Sequence, residues 1–274
     1  MKISRLFIYP IKSTAGISVN ESEIEKTGIK NDRMLALFDT SGQCLTAREY
    51  PQLFDISTVV TNDYIEINHC GKMISRIDVQ TNQTEWDAVR VHSYDAGGFS
   101  FDHNLDSWFS DFLDVECRLL KHHIGSGRPV LEKHGGLPGD ELGFNDQAPL
   151  LLISEASLQD LNKRLDEPVG MDRFRPNIVV SDCQPYEEDQ WGIIQIGAQR
   201  LRVIQQCERC VMTTIDPETK RKHERAEPLK TLREYRKGPR GGLVLGVHAV
   251  PLNSEKIKVG DQLDVQETIL RTTS

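Results

Sequence analysis

The chain contains no run approaching the roughly 20 apolar residues that a membrane-spanning helix needs. Its start, Met1-Lys2-Ile3-Ser4-Arg5, enters a strand-like segment rather than the apolar core of a signal peptide. A soluble, cytoplasmic protein with no membrane partner is expected. A basic excess is also lacking: 41 Asp and Glu outnumber 33 Lys and Arg, for a formal net charge of -8. A phosphate backbone selects a basic surface, so nucleic acid is excluded as a general partner, whereas a small anion held by a few placed cations is not. Cysteine is scarce too. Six in 274 residues are too few for a disulfide scaffold, which fits a reducing compartment. Cys44, Cys70, Cys117 and Cys183 are scattered and read as small buried hydrophobes. Only Cys207 and Cys210 pair, as Cys207-Glu208-Arg209-Cys210. Internal repeats and low-complexity tracts are absent.

What is present is mostly β. Residues 2–9 and 17–26 read as strands and 33–39 as a denser apolar run. Residues 55–61, 64–69 and 72–79 are short β-rich segments separated by the turn dipeptides Asn62-Asp63 and Cys70-Gly71. Leu105, Trp108, Phe109, Phe112 and Leu113 fall on one stripe and predict an amphipathic helix that packs on the core. Residues 116–121 follow as a strand. Residues 122–143, polar and rich in glycine, are expected to form a long surface loop whose histidines, His122, His123 and His134, lack metal-site spacing. Ser154 is expected to cap a helix that runs to Leu165. Residues 177–180, 193–196 and 200–205 read as strands, the last two as a hairpin across Gly197-Ala198. Pro228 starts a short helix to about Arg236, and 243–250 and 261–266 close the chain as β. The expected class is mainly β with a few helices (α+β), built on barrels or sandwiches, and the length suits one large or two intimately packed domains.

Taken alone, Cys207-Glu208-Arg209-Cys210 has three readings. A structural zinc site needs about two further Cys or His at matching spacing, and none is evident. A thioredoxin-like couple sits at a helix start after a strand, whereas residues 211–215 read as continuing strand or loop. The third reading is a pair of incidental thiols. Arg209 tilts the balance, because a neighbouring guanidinium favours the thiolate that ligates a metal, and the remaining ligands would then come from a cofactor. Elsewhere, Tyr9-Pro10-Ile11-Lys12-Ser13 ends the first strand with an ammonium, a hydroxyl and free backbone N–H groups. That arrangement grasps phosphate, or is an ordinary turn with a solvated lysine. Arg33, in Asn31-Asp32-Arg33, and Arg175, in Phe174-Arg175-Pro176-Asn177, each stand at the mouth of an apolar strand, where a guanidinium grips phosphate or makes a salt bridge.

Together with Leu152-Ile153-Ser154-Glu155-Ala156-Ser157-Leu158 and Thr213-Thr214-Ile215-Asp216-Pro217, these segments resemble the MOSC superfamily, in particular its amidoxime-reducing branch, in register from about Ile3 to Val265. The resemblance implies a MOSC N-terminal β-barrel-like domain, residues 1–120, packed on a MOSC β-barrel domain, residues 121–270, with a molybdopterin form of the molybdenum cofactor in the crevice between them. It implies Cys210 as the protein ligand to molybdenum, with soft sulfur donors suiting a metal that cycles between two oxidation states. It places Lys12, Ser13 and Arg33 at the pterin and its phosphate, and Arg175, Asn177 and Arg209 at further cofactor contacts. Asp146 falls where the family has an acidic residue beside the metal, suited to orienting the substrate oxygen or passing a proton. Cys207 is expected to pack nearby without touching the metal.

The implied activity is reduction of N-hydroxylated compounds (amidoximes, hydroxylamines, N-hydroxylated bases). Bacterial relatives often carry a ferredoxin-like extension with four cluster-binding cysteines. This sequence has no cysteine after Cys210, so electrons are expected from a separate ferredoxin-, flavodoxin- or b-type-cytochrome-like protein with its reductase. Thr219-Lys220 stands where relatives usually have Thr-Gly, and Leu245-Gly246 where Phe-Gly is usual; both are expected to alter packing and substrate access. The same residues suit a second function, a non-catalytic carrier of the molybdenum cofactor or of sulfur on Cys210, and, more blandly, a binding protein for another phosphorylated ligand.

Overall fold

Apolar runs with no polar alternation mark the centre of an eight-stranded sheet. In a computed structural model that describes residues 1–78, 86–91, 94–100, 103–122 and 128–269, this sheet runs β18 (Leu263–Thr268), β14 (Trp191–Ile196), β15 (Gln199–Glu208), β16 (Val244–Pro251), β12 (Leu150–Ser154), β13 (Ile178–Ser181), β1 (Lys2–Ile8) and β2 (Ile17–Val19). Every residue of β12 is buried, because it lies between β16 and β13 and is covered on both faces. β12 and β13 run parallel, which requires a crossover. Helix α2 (Glu155–Asn162) supplies it, and the Ser154 hydroxyl caps it by accepting the Ser157 N–H at 3.0 Å. The helix stops at Asn162, short of the expected Leu165, and turns bonded to Leu161 and Asn162 carbonyls complete the segment. β14 and β15 form the expected hairpin, with Gly197 in the left-handed region at φ 56°.

A four-stranded sheet, β5 (Leu35–Asp39), β11 (Cys117–His122), β10 (Tyr94–Ser100) and β9 (Trp86–Val91), carries helix α1 (His103–Leu113). Leu105, Phe109 and Leu113 of α1 are buried in one cluster with Leu37, Leu119 and Ile65. β9 and β10 escaped the sequence reading; in β10, Gly97 and Gly98 dilute the strand pattern. Gly98 is tolerated because a Cβ there would stand 2.9 Å from the Leu120 Cβ across the ladder. The meander β6 (Ile56–Val60), β7 (Tyr64–His69) and β8 (Lys72–Asp78) turns at the two expected dipeptides. β17 (Lys256–Lys258), β3 (Glu21–Glu25) and β4 (Gly28–Ile29) make a small fourth sheet, and Pro228 precedes α3 (Leu229–Tyr235). Among the described residues the chain is mainly β with three α-helices, none long and apolar enough to cross a membrane.

One hand-over positions the site. β1 lies in the eight-stranded sheet, but after Pro10 the chain leaves it and Ile11 bridges Leu35 of β5. Lys12 and Ser13 therefore emerge between the two sheets. Two expectations are corrected. Part of the segment 122–143 is interior rather than surface: His122, Arg128, Val130, His134 and Leu142 are buried, and Val130 and Leu142 pack on Val250. Its polar composition hides this, because Arg128 is satisfied internally by the carbonyls of Gly143 and Asn145 at 2.8 and 2.6 Å; His123 lies outside the described residues. Of the scattered cysteines, Cys44 and Cys117 are buried, whereas Cys183 is half-buried and Cys70 is exposed in a turn at φ 50°.

Candidate functional site

Segments far apart in sequence meet at a cavity of about 350 Å³. Its wall includes all eight residues selected above: Lys12, Ser13, Arg33, Asp146, Arg175, Asn177, Arg209 and Cys210. The turn after β1 contributes Lys12 and Ser13, both buried, with Ser13 in the left-handed region at φ 71°. The Lys12 ammonium donates to the Phe144 carbonyl at 2.9 Å and pairs with the Asp146 carboxylate.

Tyr9 is the pivot of the wall. Its N–H donates to Asp32 at 2.9 Å and its hydroxyl to the Pro176 carbonyl at 3.2 Å; burial pushes the phenol up to about 12. The guanidinium carbons of Arg33 and Arg175 lie over its ring at 4.2 and 4.1 Å. Arg33 pairs with Asp32 at 2.6 Å, and Arg175 donates to the Thr14 carbonyl at 2.6 Å. Burial, reinforced by the neighbouring Arg33, pushes Arg175 down to about 10. Asn177 reaches the cavity but serves the backbone there: its oxygen accepts from Leu151 N–H at 3.1 Å and its nitrogen donates to the Phe7 carbonyl at 3.3 Å.

β15 ends at the two paired cysteines. Cys207 is buried, and Arg209 donates to its sulfur at 2.8 Å and to the Phe174 carbonyl at 2.7 Å. Burial nonetheless raises the Cys207 thiol, outweighing the guanidinium. Arg209 thus serves the buried cysteine, not Cys210. Cys210 is exposed and precedes a single 3-10 turn, Val211–Thr214, where continuing strand or loop was expected. Its carbonyl accepts from the Thr213 N–H and hydroxyl at 3.1 and 2.9 Å, which closes that turn. The guanidinium beside Cys210 is instead Arg48, which hydrogen-bonds its side chain and also donates to Asp146 at 3.3 Å. Arg48 therefore joins the two residues placed at the metal by the family resemblance.

Sequence reasoning missed Arg48 and His248. Arg48 stands just after an apolar segment, the same local signal as Arg33 and Arg175. His248 is the lone imidazole of the otherwise apolar β16. Gln205 lies 3.1 Å from its Nδ1, so with Gln205 as donor the proton sits on Nε2. Burial first, then Arg209, pushes His248 down to about 3. The cavity wall carries six cations, Lys12, Arg33, Arg48, Arg173, Arg175 and Arg209, against two carboxylates, Asp146 and Glu208. Arg175 Nη2 and Arg209 Nε are buried donors without a partner among the described residues. An acidic protein has thus gathered positive charge at one place, as an anion-binding site requires.

The departure at Lys220 also acquires a geometry. Lys220 adopts φ 59°, the region a glycine takes freely, in a tight loop where the Asp216 carboxylate accepts the N–H groups of Glu218 and Thr219. Its ammonium reaches Asp55 at 2.7 Å. At the other departure, Leu245 is fully buried, and Gly246, at φ 77°, lies where a Cβ would stand 2.6 Å from the Leu152 carbonyl oxygen.

Comparison with known proteins adds the following. Residues 1–116 match the family model for the MOSC N-terminal beta barrel domain, and residues 139–264 that for the MOSC domain. The mitochondrial amidoxime-reducing component 1 of Homo sapiens is 34% identical over 280 residues, spanning 94% of this chain and 81% of its own. The molybdenum cofactor sulfurase of Solanum lycopersicum is 32% identical over 290 residues, covering 98% of this chain, which spans only 35% of that larger protein. Among solved structures, the YuaD protein of Bacillus subtilis aligns over 96% of this chain and 93% of its own at 10% identity, with a TM-score of 0.46.

Proposed function

The chain belongs to the MOSC family, and on that premise we propose that its cavity holds the molybdenum cofactor and that it reduces N-hydroxylated compounds with electrons from a separate redox protein. The convergence of Lys12, Ser13, Arg33, Arg175, Arg209 and Cys210 on one cavity carries this reading. Their chemistry suits the group. A phosphorylated pterin is anionic, and the wall is cationic. Leaving a buried donor such as Arg175 Nη2 or Arg209 Nε unpaired costs about 1–3 kcal/mol, and more for a charged group. An anion offsets that cost with charge-assisted hydrogen bonds. The exposed Cys210 sulfur supplies the soft donor that a metal otherwise bound by dithiolene accepts.

When bound, the cofactor supplies a metal that exchanges two electrons. The overall reaction, R–NH–OH with two electrons and two protons giving R–NH2 and water, then leaves binding and proton handling to the protein. Lys12, Ser13, Arg33 and Arg175 hold the anionic end. Asn177 acts through the backbone, fixing the ends of β1 and β12 against each other. Asp146, steadied by Lys12 and Arg48, offers an acceptor for the N–OH hydrogen in the cavity that also contains Cys210. His248, neutral at physiological pH, offers an N–H without adding a seventh charge.

The likeness to the sulfurase favours a second reading, a carrier that holds cofactor or sulfur without turnover. One experiment separates the two. The protein is purified from a host that makes molybdenum cofactor, its metal is measured, and benzamidoxime reduction is assayed with an artificial electron donor beside Cys210→Ala. Bound molybdenum with turnover, both lost in the variant, is the expected result. Stoichiometric molybdenum without turnover supports the carrier, and wild-type protein devoid of molybdenum rejects the reductase.

A further inference from the structure

Beside the large cavity lies a smaller hollow of about 130 Å³. The two share Tyr94, Asp146 and Gln147, so they meet at the carboxylate assigned to the N–OH group. Beyond that junction the hollow is mostly apolar; Asp95 borders it, but its exposed side chain pairs with Arg90 at 3.5 Å. Leu142 is buried at 3% exposure, Leu131 is half-buried, and Pro129 stands exposed at the rim. Arg128 also borders the hollow, but its guanidinium is bonded to the carbonyls of Gly143, Asn145 and Asp146, which leaves its stem as lining. Tyr94 and His134 complete it as an edge-to-face pair, ring centroids 6.4 Å apart at 85°. Burial holds the His134 imidazole below its ordinary range, so no cation is added there at neutral pH.

Size and lining narrow the occupant. An apolar cavity of about 150 Å³ in another protein stays dry and binds benzene, and this hollow is of similar size with aromatic and aliphatic walls. We propose that it is a substrate subsite for the flat ring of aryl or heteroaryl N-hydroxylated compounds, with the N–OH group placed at Asp146. The proposal rests on the reductase reading of the larger cavity. A short aliphatic substrate leaves the hollow unused and gains nothing from it.

The test uses the cofactor-loaded protein, reduced methyl viologen as donor, and two substrates, benzamidoxime and acetamidoxime. Leu131→Trp fills the hollow from a side chain that belongs to no core cluster. Its kcat/KM for benzamidoxime is expected to fall by about tenfold or more, the scale at which a hydrophobic pocket discriminates by a carbon or two, while acetamidoxime stays within about twofold. Equal losses on both substrates, or no loss on either, overturn the subsite. Wild-type protein that reduces neither amidoxime overturns the reductase reading instead. Crystals soaked with 4-bromobenzamidoxime give a readout independent of turnover: bromine anomalous density between Leu131 and Leu142 is expected, and density elsewhere or none overturns the subsite.

Discussion

The guanidinium of Arg33 donates to the main-chain carbonyl of Arg175 at 3.0 Å, joining two residues 142 positions apart in the chain. Both guanidiniums rest on the ring of Tyr9, whose negative π face offsets part of their repulsion. Among the described residues, only Asp32 faces this pair as a bonded carboxylate. The fold thus holds two like charges together before any ligand arrives.

A ligand-dependent stability follows. Arg175 has a folded-state value near 10, below its ordinary 12.5, so the unfolded chain binds its proton more tightly and the buried cation weakens the fold at every pH below that window. An anion relieves the strain. Inorganic phosphate is expected to raise the melting temperature of cofactor-free protein relative to chloride of equal ionic strength. At a hundredfold excess over Kd the gain is about 2.7 kcal/mol, a shift of several degrees for a chain of this size. In Arg175→Met more than half of that shift should vanish; an undiminished shift by scanning fluorimetry would place the anion elsewhere.

His248 sets an acid limb. Its value near 3 in the folded state lies below the ordinary 6.5, so its contribution to stability is complete above pH 6.5 and is lost as pH falls from there toward 3. The loss is on the order of a few kcal/mol. Urea denaturation between pH 4 and 7 should therefore give a flatter stability profile for His248→Gln than for wild type. Parallel profiles would show that the imidazole titrates normally.

Lys220 trades strain against a bond. A non-glycine residue at φ 59° carries about 1 kcal/mol or more of backbone strain, while its half-exposed ion pair with Asp55 returns about 0.5 kcal/mol. Lys220→Gly relieves the strain and loses the pair, so its midpoint in guanidinium chloride should equal or exceed that of wild type. Lys220→Ala keeps the strain and loses the pair, and should fall below both. The order Ala above Gly would remove backbone strain as the explanation.

Local features were readable from sequence because their causes are local. The stripe of α1, the Ser154 cap and the dipeptide turns depend on neighbours a few residues away. β10 was not, since Gly98 makes sense only against Leu120 and Phe144 of other segments. The interior course of residues 128–142 was masked by polar composition: Arg128 donates to carbonyls further along the chain, and the Gly135 carbonyl accepts from Arg202. At the site, each cation alone had two meanings, and family resemblance selected one; only the fold shows the shared wall. Arg209 illustrates the limit. It neighbours Cys210 in sequence, but on an extended chain residues two apart share a face, and its guanidinium turns to Cys207. The role beside Cys210 falls to Arg48, 162 positions earlier, and no spacing rule reveals that.

The pairing of β1 with β13, and of Met1 and Ile3 with residues past 260, has a consequence for biosynthesis. A ribosome adds about 5–20 residues per second, so the first strand waits on the order of ten seconds or more for its partner. Lys12 and Arg33 leave the tunnel well before Cys210 and His248, and the pocket closes only once those later segments have emerged. Ligand delivery therefore follows the emergence of Cys210 and His248, since a shorter nascent chain presents only part of the wall.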